Sequence, residues 1–144
     1  MRSLLSIISR DNHDELSISL CGGKNKDISL NAEERIKMIR AFVDRTFTED
    51  LDRAYLSELF GVNSDTLSRY FSRYTGIPLY DYINKKRIDL SKKMLSETDY
   101  TVTKISIICG FYSIRTFNRR FRKETSMSPG DFRRNCLTDN TDHR

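Results

Sequence analysis

One feature of this chain limits its possible folds more than any other: part of it is written twice. Asn63-Ser64-Asp65-Thr66-Leu67-Ser68-Arg69-Tyr70-Phe71 aligns without a gap, 50 positions on, with Ser113-Ile114-Arg115-Thr116-Phe117-Asn118-Arg119-Arg120-Phe121. Each copy opens on a residue whose side chain accepts from the orphan N–H groups of a first helical turn. Apolar residues follow four and eight positions later, Leu67 and Phe71 in one copy and Phe117 and Phe121 in the other, which places them on one helix face. An arginine, Arg69 or Arg119, lies two residues past the first apolar anchor, on a different face.

The duplication continues upstream. Leu56-Ser57-Glu58-Leu59-Phe60-Gly61 resembles Ile105-Ser106-Ile107-Ile108-Cys109-Gly110, now at an offset of 49. Each reads as a short apolar helix ended by a glycine, the residue that enters the left-handed conformation without a Cβ penalty. Helix, tight glycine turn and capped second helix together make a helix-turn-helix signature. One copy is also compatible with an ordinary helical hairpin. Two copies, each with a basic second helix, point to nucleic acid.

Charge agrees in its placement more than in its total. The net charge is +5, but residues 67–134 hold 15 Lys/Arg against 6 Asp/Glu, while residues 1–66 hold 9 against 12. The basic half thus carries the basic faces of both capped helices, as a polyanion partner requires. Two prolines and few strand-like runs favour an all-α fold. The cysteines, Cys21, Cys109 and Cys136, are odd in number and include no Cys-x-x-Cys pair, which argues against a disulfide framework or a zinc site. Cys109 reads as a small core residue. With no apolar run near 18 residues and no secretory leader pattern, the expectation is a cytoplasmic protein.

Taken in order, residues 1–30 read as an arm or the remnant of a sensor domain. Leu4 to Ile8 and the alternating Leu16 to Leu20 are able to pair as one hairpin, and Cys21 to Lys26 reads as a linker. Asn31 with Glu34 matches a capping box, opening an amphipathic helix with Ile36, Ile39, Phe42, Val43 and Phe47 on its inner face. A first helix-turn-helix unit spans about 51–76, with Leu56, Leu59, Val62, Leu67, Phe71 and part of Tyr70 as core. Gly76-Ile77-Pro78 separates it from a linker helix over 79–96, with Leu79, Ile83, Leu90 and Met94 along one stripe. A second unit spans about 101–125, with Val102, Ile105, Ile108, Phe111, Phe117 and Phe121 as core. A short helix from Gly130 to Arg134 and a frayed tail over 137–144 complete the chain.

These residues resemble the DNA-binding domain of the AraC/XylS family of bacterial transcription regulators. The resemblance covers about residues 32–134, and the expected DNA-binding domain is 31–136. It rests on an ordered set: Leu67 to Phe71; Gly76-Ile77-Pro78 with Tyr82-Ile83; Arg87-Ile88; Gly110-Phe111; Phe117 to Phe121; and Met127-Ser128-Pro129 with Phe132-Arg133. It implies about seven helices, with two helix-turn-helix units bridged by a long helix. It also implies a transcription regulator, in a family whose members mostly activate by recruiting RNA polymerase and in some cases repress, and a DNA-binding unit that is monomeric. Ser57, Ser91 and Ser106 depart from the family's usual alanine; each hydroxyl is expected to bond a carbonyl one turn back. Ser126 departs from its usual glycine and, if left-handed, costs roughly 1 kcal/mol. Many members carry an effector domain, which 30 residues are too few to form. The chain therefore resembles either a small stand-alone member or a fragment of a larger regulator.

By the same resemblance, Asp65, Ser68 and Arg69 on the first recognition helix match base-facing positions, as do Ile114, Arg115, Asn118 and Arg119 on the second. Their chemistry suits this. Arginine bonds guanine O6 and N7, asparagine bonds adenine N6 and N7, and Ile114 suits a thymine methyl. Asp65 is suited either to cytosine N4 or to the positive end of its own helix. Arg73, Arg120, Arg122, Lys123 and the Lys85-Lys86 pair are the expected phosphate contacts, which position without specifying.

An enzyme is not expected. The two histidines, His13 and His143, lie near opposite termini, and no phosphate loop, metal cluster or nucleophile motif is present. No cofactor or metal is implied. A helical protein-interaction module would display apolar anchors where this chain displays arginines.

Overall fold

The second copy of the repeat reproduces the first almost bond for bond, and that correspondence organises the fold. The structure is a computed structural model and describes residues 32–139. Seven α-helices are found among them: α1 Ala32–Thr46, α2 Arg53–Phe60, α3 Ser64–Thr75, α4 Leu79–Glu97, α5 Val102–Ile108, α6 Ile114–Thr125 and α7 Pro129–Asp139. No strand occurs among the described residues. The hairpin expected within residues 4–20 and the Asn31 cap lie outside the described residues.

The chain divides into two compact units, the first ending at Leu79 and the second beginning at Tyr80. In the first, α1 and α2 both pack on α3. The buried core is Ile36, Ile39, Phe42 and Val43 of α1, then Leu51, Leu56, Leu67, Phe71 and Leu79. Phe42 meets Phe60 edge-on at 5.6 Å, the geometry that the aromatic quadrupole favours. Leu59 and Val62 are only half-buried, and Tyr70 is exposed, so the core is narrower than the apolar pattern implies.

In the second unit, α6 packs on α5 and α7. Its core is Ile88, Leu95, Ile105, Cys109, Phe111, Phe117 and Phe121, with Leu90, Met94, Val102 and Phe132 against it. The rings of Phe111, Phe117, Phe121 and Phe132 form a chain with successive centroids 5.2, 5.6 and 5.5 Å apart. The expected core member Ile108 is exposed; Cys109, one position on, is fully buried in its place. Burial pushes the Cys109 thiol up to about 12, because an ionised sulfur in that site has no water around it. Along α4, Leu79 and Ile83 are buried as expected, but the second half of the stripe differs: Ile88, Ser91 and Leu95 are buried, while Leu90 and Met94 only flank the core.

Both units cap their helices in the same way. Asp52 accepts from Tyr55 N–H at 2.7 Å to start α2, and Thr101 accepts from Lys104 N–H at 3.1 Å to start α5. In the first turn motif, Gly61 N–H reaches Glu58 O and Val62 N–H reaches Ser57 O; in the second, Gly110 N–H reaches Ile107 O and Phe111 N–H reaches Ser106 O. The αL geometry needed at this turn is met by glycine both times, with φ 60° at Gly61 and 95° at Gly110. At the far ends of α3 and α6, the Thr75 hydroxyl sits 2.6 Å from Phe71 O and 3.0 Å from Ile77 O. The Thr125 hydroxyl sits 2.8 Å from Phe121 O and 3.0 Å from Met127 O.

The departures from alanine and glycine resolve individually. Ser91 and Ser106 donate to carbonyls three residues back, Ile88 O and Thr103 O, each at 2.7 Å, as expected. Ser57 instead donates forward across the turn to Val62 O at 2.6 Å, so its hydroxyl staples the turn and leaves its own helix alone. Ser126 has φ 61° and is the sole non-glycine residue with positive φ among those described.

The last described helix is longer than expected. In place of a short helix over 130–134, α7 runs to Asp139. Ser128 caps it, accepting from Asp131 N–H at 3.1 Å while donating to the Asp131 carboxylate at 2.7 Å. These bonds, with Arg134 beside the same carboxylate, hold the Asp131 pKa below the usual range.

Candidate nucleic-acid interface

Two helices have the construction of recognition helices. Asn63 starts α3 by accepting from Asp65 N–H at 2.9 Å; Ser113 starts α6 by accepting from Thr116 N–H at 3.4 Å. Each helix fixes its depth with two buried core residues one turn apart, Leu67 with Phe71 and Phe117 with Phe121. The opposite face is thereby turned outward.

On α3 that outward face presents Asp65, Arg69 and Arg73, four residues apart and hence along one stripe, all exposed. Ser68 lies beside them, half-buried. Tyr70, expected in part as core, and Tyr74, given no role by the sequence pattern, are 43% and 48% exposed on another part of the same helix. On α6 the structure brings together Ile114, Arg115, Asn118, Arg119, Arg122 and Lys123. All six line one open concavity of about 920 Å³, whose far side is the start of α7, Ser128 to Gly130. Every one of these six side chains is exposed. Four cations on one wall, against no acidic residue lining it, suit a phosphodiester backbone running across a reading surface.

The remaining expected contacts are placed differently. Arg120 does not line this concavity. Its guanidinium donates to the carboxylate of Asp81, in the first turn of α4, at 2.9 Å. Lys85 is exposed on α4; Lys86 is half-buried, with its ammonium 5.6 Å from the Tyr82 ring centre. Neither lines the α6 concavity.

Two residues matter that the patterns left without a role. Asp81 had no visible partner, because the 39 positions to Arg120 carry no periodic signal. Arg133 entered only as part of a motif; it donates to Leu95 O at 3.2 Å, Thr98 O at 3.1 Å and Tyr100 O at 2.7 Å. It thus closes the C-terminal end of α4, where the last carbonyls have no helical partner. Among the described residues no group of His, Cys, Asp and Glu could hold a metal ion, and no helix is long and apolar enough to cross a membrane.

Seven helices, with a duplicated helix-turn-helix carrying a basic reading face in each unit, define a double helix-turn-helix DNA-binding protein. A helix-turn-helix domain family model of the AraC type matches residues 56–135. The chain belongs to the AraC-type helix-turn-helix family of transcription regulators. Over 103 residues it is 30% identical to the transcriptional activator RhaS of Enterobacter sp. (strain 638), covering 72% of this chain and 37% of RhaS. It is 31% identical over 114 residues to an HTH-type transcriptional regulator of Staphylococcus aureus (strain COL), covering 78% of this chain and 15% of that protein. It therefore spans well under half the length of these relatives. Among solved structures, it is similar to the C-terminal domain of the response regulator yesN from Fusobacterium nucleatum. That likeness has a TM-score of 0.64 at 28% identity, covering 67% of this chain and 95% of that one. The DNA-binding domain of AdpA, solved in complex with a target DNA, shares the fold at a TM-score of 0.64 and 23% identity, covering 69% of this chain and 89% of that one.

Proposed function

We propose that this chain is a sequence-specific regulator of transcription, and an activator, that inserts α3 and α6 into adjacent major-groove segments of double-stranded DNA. The observation that carries this reading is the repetition of one complete device. In each unit a capped helix is anchored by two apolar residues and presents arginines outward. A protein needing one contact surface has no use for a second copy of the caps, turn and basic face.

The two faces imply unequal roles. Arg115, Asn118 and Arg119 offer α6 the bidentate chemistry for guanine and adenine, with Arg122 and Lys123 for phosphates and Ile114 for a thymine methyl. α3 offers Arg69 to guanine, Asp65 to cytosine N4, Ser68 as an adaptable partner and Arg73 to a phosphate. Lys85 and Lys86 add backbone contacts. As α6 carries the denser cation set, it seats more firmly. The two helices differ in sequence, so the site is asymmetric and one monomer suffices. Activation through RNA polymerase extends the reading, with support from the naming of RhaS as an activator.

Selection of bound duplexes from a random pool, followed by titration at several salt concentrations, tests this. Log affinity should fall with log salt by about 0.9 per phosphate neutralised. Lys123→Ala should flatten that slope by roughly one unit and leave the base preference alone. No enriched sequence, or affinity insensitive to salt, would reject the reading.

A further inference from the structure

Arg120 sits in the middle of α6, yet its side chain turns away from the basic face. Helical periodicity explains where it goes. At about 100° per residue, Arg115, Arg119 and Arg122 share the outward half of the helix, Phe117 and Phe121 point into the core, and Asn118 lies on one flank. Arg120 falls on the opposite flank. There its Nη1 donates to Asp81 Oδ1 at 2.9 Å, with the two side chains 25% and 44% exposed.

The core contacts of α6 leave one motion weakly opposed. Phe117 and Phe121 lie along a single stripe, both fully buried, and resist lifting of the helix from the core. Two rings on one line resist rolling about that line far less. Beyond the packing on α5 and α7, a directional bond off the stripe adds to what opposes the roll, and the Asp81–Arg120 pair is such a bond. It ties α6 to α4, whose Ile88 and Leu95 are themselves part of the core.

Roll matters for base reading more than for affinity. Side chains reach about 5–6 Å from a helix axis, so a roll of ~20° carries their tips by roughly 2 Å. Hydrogen bonds tolerate a spread of only about 0.5 Å in donor–acceptor distance. Long cationic side chains can follow a phosphate over that distance, whereas a fork aimed at two atoms of one base edge cannot. Half-exposed ion pairs contribute little to folding, so stability alone gives such a pair little reason to exist.

We propose that Asp81 and Arg120 form a positioning pair that fixes the roll of α6, and so sets its base discrimination, with neither side chain touching DNA. This rests on α6 being a recognition helix in the sense of the preceding section. It reassigns Arg120 from the phosphate contacts expected by sequence.

The test uses the full chain and duplexes selected by the wild type, with the α6 segment defined as the bases whose preference Arg119→Ala relaxes. Asp81→Asn and Arg120→Met should each lower discrimination in that segment about fivefold or more, out of the roughly 5- to 150-fold that one bidentate pair supplies. The salt slope and the preference in the other segment should not change. The double variant should lose no more than either single one. Exchange of the charges, Asp81→Arg with Arg120→Glu, should recover most of the discrimination. Melting curves of all variants should stay close to the wild type, and the charge exchange provides a folded comparison if one single variant melts early. The proposal is overturned if Arg120→Met lowers the salt slope by about 0.9 while Asp81→Asn tightens binding, since Arg120 is then a phosphate contact. It is equally overturned if discrimination is unchanged in both single variants. Should the wild type itself select no duplex, the DNA reading fails first, and the pair's role with it.

Discussion

At the scale of single residues, Ser126 is the clearest compromise. It occupies a left-handed C-cap, φ 61° and ψ 13°, that its counterpart Gly76 fills with φ 81°. Ser126→Gly removes the Cβ strain and should raise unfolding free energy by roughly 1 kcal/mol in urea titration. A lower stability would mean that the serine hydroxyl has a compensating role. Cys109 gives a second residue-scale test. With its thiol held up to about 12, it should remain unmodified by a thiol reagent at neutral pH in the native state, while half-buried Cys136 reacts. The linkage has a definite sign. The unfolded chain releases this proton more readily than the folded one, so the contribution is complete below the ordinary thiol range. It is lost as pH rises toward about 12. Stability that increased over that alkaline window would contradict the burial.

At the scale of elements, α4 depends on a residue far away in the chain. Thr98 covers Met94 O through both its N–H, at 2.9 Å, and its hydroxyl, at 2.7 Å, and Arg133 covers Leu95 O, Thr98 O and Tyr100 O. Arg133→Ala removes all three guanidinium bonds and should cost about 2–3 kcal/mol, since bonds to a charged donor are the stronger kind and water replaces them in part. Arg133→Lys should not restore it, because an ammonium cannot span three carbonyls as a planar fork does. Amide exchange at Thr98 and Tyr100 reports this directly; protection equal to wild type would contradict it.

Much at this scale is legible in the sequence. Asn63 and Ser113 announce helix starts, Gly61 and Gly110 announce tight turns, and the four-residue spacing of the anchors fixes which faces are buried. These signals are local, and local geometry obeys them. Long-range pairings were not legible. Arg120 looked like one more cation on a basic helix until Asp81 appeared beside it. Ile108 looked like core by hydrophobicity, but the turn at Gly110 directs Cys109 inward in its place. The Thr75 and Thr125 bridges were present as another 50-residue match, yet a threonine near a helix end does not reveal which carbonyl it reaches. For the reading faces, position on the helix was legible and the clustering of six α6 residues around one concavity was not.

At the scale of the whole molecule, the proposed function requires two non-identical reading heads in one chain. α4 has 19 residues and is therefore about 28 Å long, comparable with the ~34 Å of one helical turn of DNA. Where B-DNA bends to seat both heads at once, the bend costs of order 1–6 kcal/mol, which the second set of contacts must offset. The most direct measurement is footprinting on one selected duplex with wild type, Arg69→Ala and Arg119→Ala, together with stoichiometry by native mass spectrometry. The account predicts one monomer per asymmetric site. Arg69→Ala should relax base preference in one segment and Arg119→Ala in the other, each by about 1–3 kcal/mol, with the Arg119 change costing more total affinity. Relaxation of the same base pairs by both substitutions, or a palindrome that binds only two monomers, would contradict it.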